Sequence, residues 1–151
     1  MRVVIQRVSD ASVTIDGELI SSIQKGLLVL ASFETADSQE DLNWTCNKIT
    51  QLRVFDDSAG VMNLSVKDIE GEILAVSQFT LHAKTKKGNR PSYINAAPPD
   101  ISIPYYNQFV ETLSENLGTK VKTGVFGAHM IVSLINDGPV TIIIDSKNKD
   151  F

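Results

Sequence analysis

Apolar and polar positions alternate through Arg2-Val3-Val4-Ile5-Gln6-Arg7-Val8 and again through Ser12-Val13-Thr14-Ile15. This is the period of two that turns one face of a strand toward a core. Asp16-Gly17 follows the second segment, a two-residue hairpin signal in which glycine supplies positive φ. Leu27-Leu28-Val29-Leu30-Ala31 is continuously apolar, which predicts a short strand buried on both faces. Later strands are predicted from Leu52 to Phe55, Ile73 to Leu81, Lys120 to Thr123, Met130 to Ile135 and Val140 to Ile144, with a turn at Asp56-Asp57-Ser58-Ala59-Gly60.

Two segments switch to helical spacing. Ser38 is placed to cap a first helix with Asp41 at the third helical position, and Leu42, Cys46 and Ile49 then share a face. A second helix is predicted with Ser102 as cap, Pro104 in its first turn, an apolar stripe of Tyr106, Phe109, Val110, Leu113 and Leu117, and Gly118 as terminator. Many short strands with two separated amphipathic helices predict an α+β fold, mostly antiparallel sheets curved into a barrel-like core. The length of 151 residues with 42% hydrophobic content fits one domain over 1–151.

Composition narrows the class. No apolar run approaches the roughly 18 residues of a membrane helix, and Met1-Arg2 leads into a strand pattern rather than a signal-peptide core, so a cytoplasmic protein without membrane attachment is expected. The one cysteine, Cys46, leaves no internal disulfide framework and reads as a small buried hydrophobe. A net charge of −4 argues against a broad nucleic-acid surface. It still leaves room for a local basic patch, and Lys84, Lys86, Lys87 and Arg90 form one directly after the 73–81 strand. Such a run is either a solvated loop or a set of phosphate contacts.

Candidate chemistry starts from the two histidines, His82 and His129. On a regular strand Ser77, Phe79 and Leu81 share one face and Gln78, Thr80 and His82 the other, so Ser77 and Thr80 form no dyad unless the strand bulges or ends there. Thr80 with His82 is the remaining hydroxyl and base pair; otherwise His82 reads as a histidine at the loop edge after the strand, and His129 as solvent-facing. No spacing matches a zinc or iron site, and no cofactor is expected. Asn136-Asp137-Gly138-Pro139 reads locally as a turn between two apolar strands.

Six colinear segments carry a resemblance: Met1 to Val8, the hairpin at Asp16-Gly17, Ser77-Gln78-Phe79-Thr80-Leu81, Gly88-Asn89-Arg90-Pro91-Ser92-Tyr93 with Ala96-Ala97-Pro98-Pro99, Thr123 to Met130, and Asn136-Asp137-Gly138-Pro139-Val140-Thr141. Taken together they resemble the D-aminoacyl-tRNA deacylases over nearly the whole chain. The resemblance implies hydrolysis of the ester between an amino acid and the tRNA 3′ end, with the RNA 2′-hydroxyl assisting water. It implies that Ser77, Gln78, Phe79 and Thr80 form the active-site wall, with backbone amides near Phe79 and Thr80 as oxyanion donors. It further implies a homodimer in which a cis Gly138-Pro139 enters the other subunit's site and excludes L side chains with bare backbone; a D side chain points outward and glycine has none to exclude. Arg7 would support that loop, its other reading being an exposed strand arginine. Phe126 and Met130 would hold the terminal adenosine, their other reading being core packing. His82 and His129 depart from the family pattern, which argues against a mechanism needing an imidazole there.

Two other classes stay open on the residues alone. A non-catalytic RNA or DNA end-binding module would keep the scaffold and bind without hydrolysis. A serine or threonine esterase, with Thr80 as nucleophile, would depend on His82.

Overall fold

The two alternating N-terminal segments form one strand, β1 (Arg2–Ile15), in the computed structural model, which describes residues 1–150. Ser9 makes the join: Val8 pairs with Asn136 and Asp10 with Ile135, so Ser9 bulges out without a partner. The extra residue changes which side chains are buried on each face. Val3 and Ile5 join one core cluster, whereas Val8, Ala11 and Val13 join another.

Asp16 (φ 50°) and Gly17 (φ 81°) form the tight turn into β2 (Glu18–Ile23), which pairs antiparallel with the second half of β1. The apolar run becomes β3 (Gly26–Ser32), antiparallel to the first half of β1. After α1 (Gln39–Gln51) come the short β4 (Phe55–Asp56) and β5 (Met62–Leu64), joined through the turn at Asp57, whose carboxylate accepts from the Ala59 and Val61 N–H groups. β6 (Glu72–Ser77) runs parallel to β3, α2 (Pro99–Leu117) crosses back, and β7 (Lys122–Thr123) lies parallel to β6. β8 (Ile131–Asp145) pairs antiparallel along most of β1.

The sheet order is β2-β1-β3-β6-β7, with β8 on β1. Its two ends meet where the Ser21 hydroxyl donates to the Thr123 carbonyl at 2.6 Å, so the mixed sheet nearly closes into a barrel. β3 and β6 carry the core on both faces. Leu27, Val29, Ile73 and Ala75 pack toward Leu42, Cys46 and Ile49 of α1 and Tyr106, Phe109 and Leu113 of α2. Leu28, Leu74 and Val76 pack inward with Val8, Val13 and Ile23. No helix among the described residues is long and apolar enough to cross a membrane.

Several expectations need correction. The 73–81 strand stops at Ser77: the Gln78 N–H still bonds the Ala31 carbonyl at 2.7 Å, but Phe79–His82 then winds into a 3₁₀ turn. The second helix starts at Pro99 behind Pro98, not at Ser102, because a proline at the first helical position has its φ preset and no N–H to satisfy. Pro104 therefore sits inside the helix, where its missing N–H leaves the exposed Asp100 without the donor four residues on. The strands expected at Leu52–Phe55 and Lys120–Thr123 shrink to the two-residue β4 and β7. Finally, the segments on either side of Gly138-Pro139 are one strand: Thr141 pairs with Gln6 and Asn136 with Val8, so residues 137–140 bulge opposite Arg7 alone.

Candidate active site

A cavity of about 260 Å³ opens where β3 and β6 end side by side, with Ala31 and Ser77 in register. Ser77, Gln78 and Phe79 form one wall. Phe126, Gly127 and Met130, from the segment leading into β8, also line it, as do Ser32, Ala97 and Ser102. Phe126 leans on Tyr106 with ring centroids 5.7 Å apart, and the Tyr106 hydroxyl is anchored on the Ala75 carbonyl at 2.9 Å. A side chain at position 124 would begin 2.4 Å from Met130 Sδ, so Gly124 leaves Met130 its place. Both Phe126 and Met130 are thus half-buried residues that face the cavity as well as the core.

The 3₁₀ turn rearranges the expected hydroxyl and histidine pair. Thr80 is not part of the cavity lining, and its hydroxyl accepts a hydrogen bond from the Gln78 amide at 2.6 Å. His82 is buried rather than at a loop edge, and its Nδ1 lies 2.6 Å from the Ser32 hydroxyl, with no contact to Thr80 among its hydrogen bonds. Burial, with the Arg2 charge nearby, holds the His82 pKa below its ordinary value. Ser32 is a cavity residue that the sequence did not single out, because as the last residue of an apolar strand it carries no local signal. His129 is exposed at the cavity rim.

The N–H groups of Phe79 and Thr80 open the 3₁₀ turn and so have no acceptor inside it. Phe79 lines the cavity, and Thr80 follows it outside the lining. Among the described residues no group of three His, Cys, Asp or Glu side chains is arranged to hold a metal ion.

Gly138 and Pro139 stand elsewhere, exposed on the β8 bulge, and the peptide bond between them is cis. Arg7 is only 8% exposed and lies under this loop. Its Nε donates to the Asp137 carbonyl at 2.8 Å and its Nη1 to the Val54 carbonyl at 2.7 Å, with the Asp56 and Asp137 carboxylates at 3.7 and 3.8 Å. Asn136 ties the base of the bulge, accepting from the Val140 N–H at 3.1 Å and donating to Thr141 Oγ1 at 3.0 Å. A Cβ at Gly138 (φ 140°) would fall 2.8 Å from Val140 Cγ2 and 3.0 Å from Arg7 Nη2. The loop is therefore held open by a glycine and braced by an arginine. None of Arg7, Gly138 and Pro139 lines the cavity of its own chain.

A D-aminoacyl-tRNA deacylase of Flavobacterium psychrophilum is 67% identical over 150 residues, covering 99% of this chain and all of that protein. Among solved structures, one described as c-Myc DNA Unwinding Element Binding Protein superposes with a TM-score of 0.91 at 44% identity, over 96% of this chain and 98% of that one. A probable eukaryotic D-amino acid tRNA deacylase shares the fold at a TM-score of 0.80 and 18% identity, over 95% and 97% of the two chains. The family model described as D-Tyr-tRNA(Tyr) deacylase matches residues 4–145, which takes in the cavity wall, Arg7 and the Gly138-Pro139 bulge, and the chain belongs to that family.

Proposed function

We propose that the chain hydrolyses the ester of D-aminoacyl-tRNA, releasing free tRNA and a D-amino acid, and spares the L ester. The observation that carries this reading is a cavity walled by Ser77, Gln78 and Phe79 at the opening of a 3₁₀ turn, beside which the Thr80 hydroxyl meets the Gln78 amide instead of an imidazole. The His82 imidazole is turned to the Ser32 hydroxyl, and His129 stands exposed at the rim. Such a site suits an already activated ester beside a vicinal hydroxyl. The RNA 2′-hydroxyl assists water attack, Ser77 and Gln78 position the ester, and the Phe79 and Thr80 N–H groups meet the developing oxyanion. Phe126 and Met130 flank the terminal adenine, an aromatic face and an adaptable thioether.

Chirality is read by Gly138-Pro139 of a second copy. Their exposure and distance from their own chain's cavity support action across a two-fold interface, and the Arg7 brace supports a rigid gate. Bare backbone rejects an L side chain by crowding and never measures a D one. Glycyl-tRNA, with no side chain to crowd, is then a substrate as well.

The 2′-hydroxyl step is tested with tRNA ending in 2′-deoxyadenosine and esterified at the 3′ position. Its D-tyrosyl ester should survive protein levels that clear the ribose form, and equal rates would contradict that step. The name of the 44% identical relative favours a second reading, a nucleic-acid end-binding module. Retained binding of D-tyrosyl-tRNA with no ester loss would favour it over hydrolysis.

A further inference from the structure

Phe79 has two surfaces. It lines the cavity, yet it is 56% exposed, and outside the cavity it meets Tyr93 edge-on, with ring centroids 5.0 Å apart at 77°. Tyr93 is itself 39% exposed, and its neighbour Ile94 is 79% exposed. Neither is drawn into the core, and the pair forms an apolar step at the cavity mouth. The step is fixed in place from both sides. Lys84 and Ser92 exchange backbone hydrogen bonds at 2.8 and 3.0 Å, closing the loop just before Tyr93, and the Ala96 N–H bonds the Tyr93 carbonyl at 3.0 Å just after it. That closed loop carries Lys86, Lys87 and Arg90, all exposed and none in an ion pair among the described residues.

We propose that Phe79 and Tyr93 form a stacking platform for the single-stranded nucleotide that precedes the terminal adenosine, with the 84–92 loop meeting its phosphates. The inference rests on the deacylase reading, because it needs the adenosine in the cavity that Phe79 borders. Exposed aromatic faces beside clustered positive charge are how proteins hold single-stranded nucleic acid without reading its sequence. The chemistry fits a 3′ end shared by all tRNAs. It also gives a chain of net charge −4 a local positive grip where the substrate enters.

The test compares D-tyrosyl-tRNA with the same D-tyrosyl ester on adenosine alone, for wild type, Tyr93→Ala and Tyr93→Phe. The expected result is a KM increase with Tyr93→Ala that is roughly tenfold larger on tRNA than on the adenosine ester, the size of one lost base stack. Tyr93→Phe, which keeps the ring, should stay near wild type. Equal effects on both substrates, or no effect on tRNA, would overturn the platform while leaving the deacylase reading standing. A Tyr93→Ala protein that sediments differently from wild type would assign the ring to a subunit contact and also overturn it. Wild type inert on both esters would remove the deacylase reading and this inference with it.

Discussion

Arg7 and Gly138 depend on each other. The guanidinium fills the space a Cβ at position 138 would enter, and it bonds the carbonyl of Asp137 just before the glycine. Gly138→Ala should therefore cost about 1–3 kcal/mol, the strain of a side chain at positive φ compounded by a displaced Arg7. Urea unfolding would measure it, and a change within about 0.5 kcal/mol, the range of ordinary surface substitutions, would contradict the bracing. His82 sets a pH limit of a different kind. Because burial lowers its pKa below the ordinary 6.5, the unfolded chain takes up a proton that the folded chain refuses. Stability should then fall as pH drops through 6.5 toward the lower folded value. Melting temperatures between about pH 7.5 and about pH 5.5 should fall more steeply for wild type than for His82→Asn, whose amide can still meet Ser32. Parallel slopes would contradict this.

At the scale of elements, local signals were legible where one residue decides the outcome. Ser38 caps α1 in a full capping box, its hydroxyl accepting from the Asp41 N–H while Asp41 accepts from the Ser38 N–H. Burial raises the Asp41 pKa, but the Lys147 and Ser38 hydrogen bonds outweigh it and hold the carboxyl well below the usual range. Ser38→Ala should cost about 1 kcal/mol and lower the melting temperature by roughly 2–4 °C, and an unchanged melting curve would contradict the cap's role. Asp16-Gly17, the doubly buried β3 and the Gly118 terminator (φ 85°) were readable for the same reason. What the sequence concealed depends on distant partners. Ser9 bulges because β8 lies opposite, and residues 137–140 leave the ladder without ending the strand because Arg7 holds them. The 3₁₀ turn after Ser77 follows from the end of β3, where the Ala31 carbonyl takes the last strand bond. Of the expected site residues, Ser77, Gln78, Phe79, Phe126 and Met130 share one cavity and Thr80 stands outside its lining, whereas the pairing of His82 with Ser32 had no local signature.

At the scale of the whole molecule, β8 is an edge. Among the described residues it pairs with β1 alone, and Ile131, Ile135 and Ile143 are 55%, 58% and 42% exposed along it. A 15-residue unpaired edge bearing isoleucines invites another chain. The proposed gate requires one, because Gly138-Pro139 projects from this strand while the cavity lies elsewhere. Sedimentation should give twice the 16.5 kDa chain mass, and a fully active monomer would contradict action in trans. The most direct test of the whole account is hydrolysis of matched D- and L-tyrosyl-tRNA by the purified protein beside Pro139→Ala. The account predicts rapid loss of the D ester only, with the variant slower or less selective between the two. Equal hydrolysis of both esters by wild type, or a variant as fast and as selective as wild type, would contradict it.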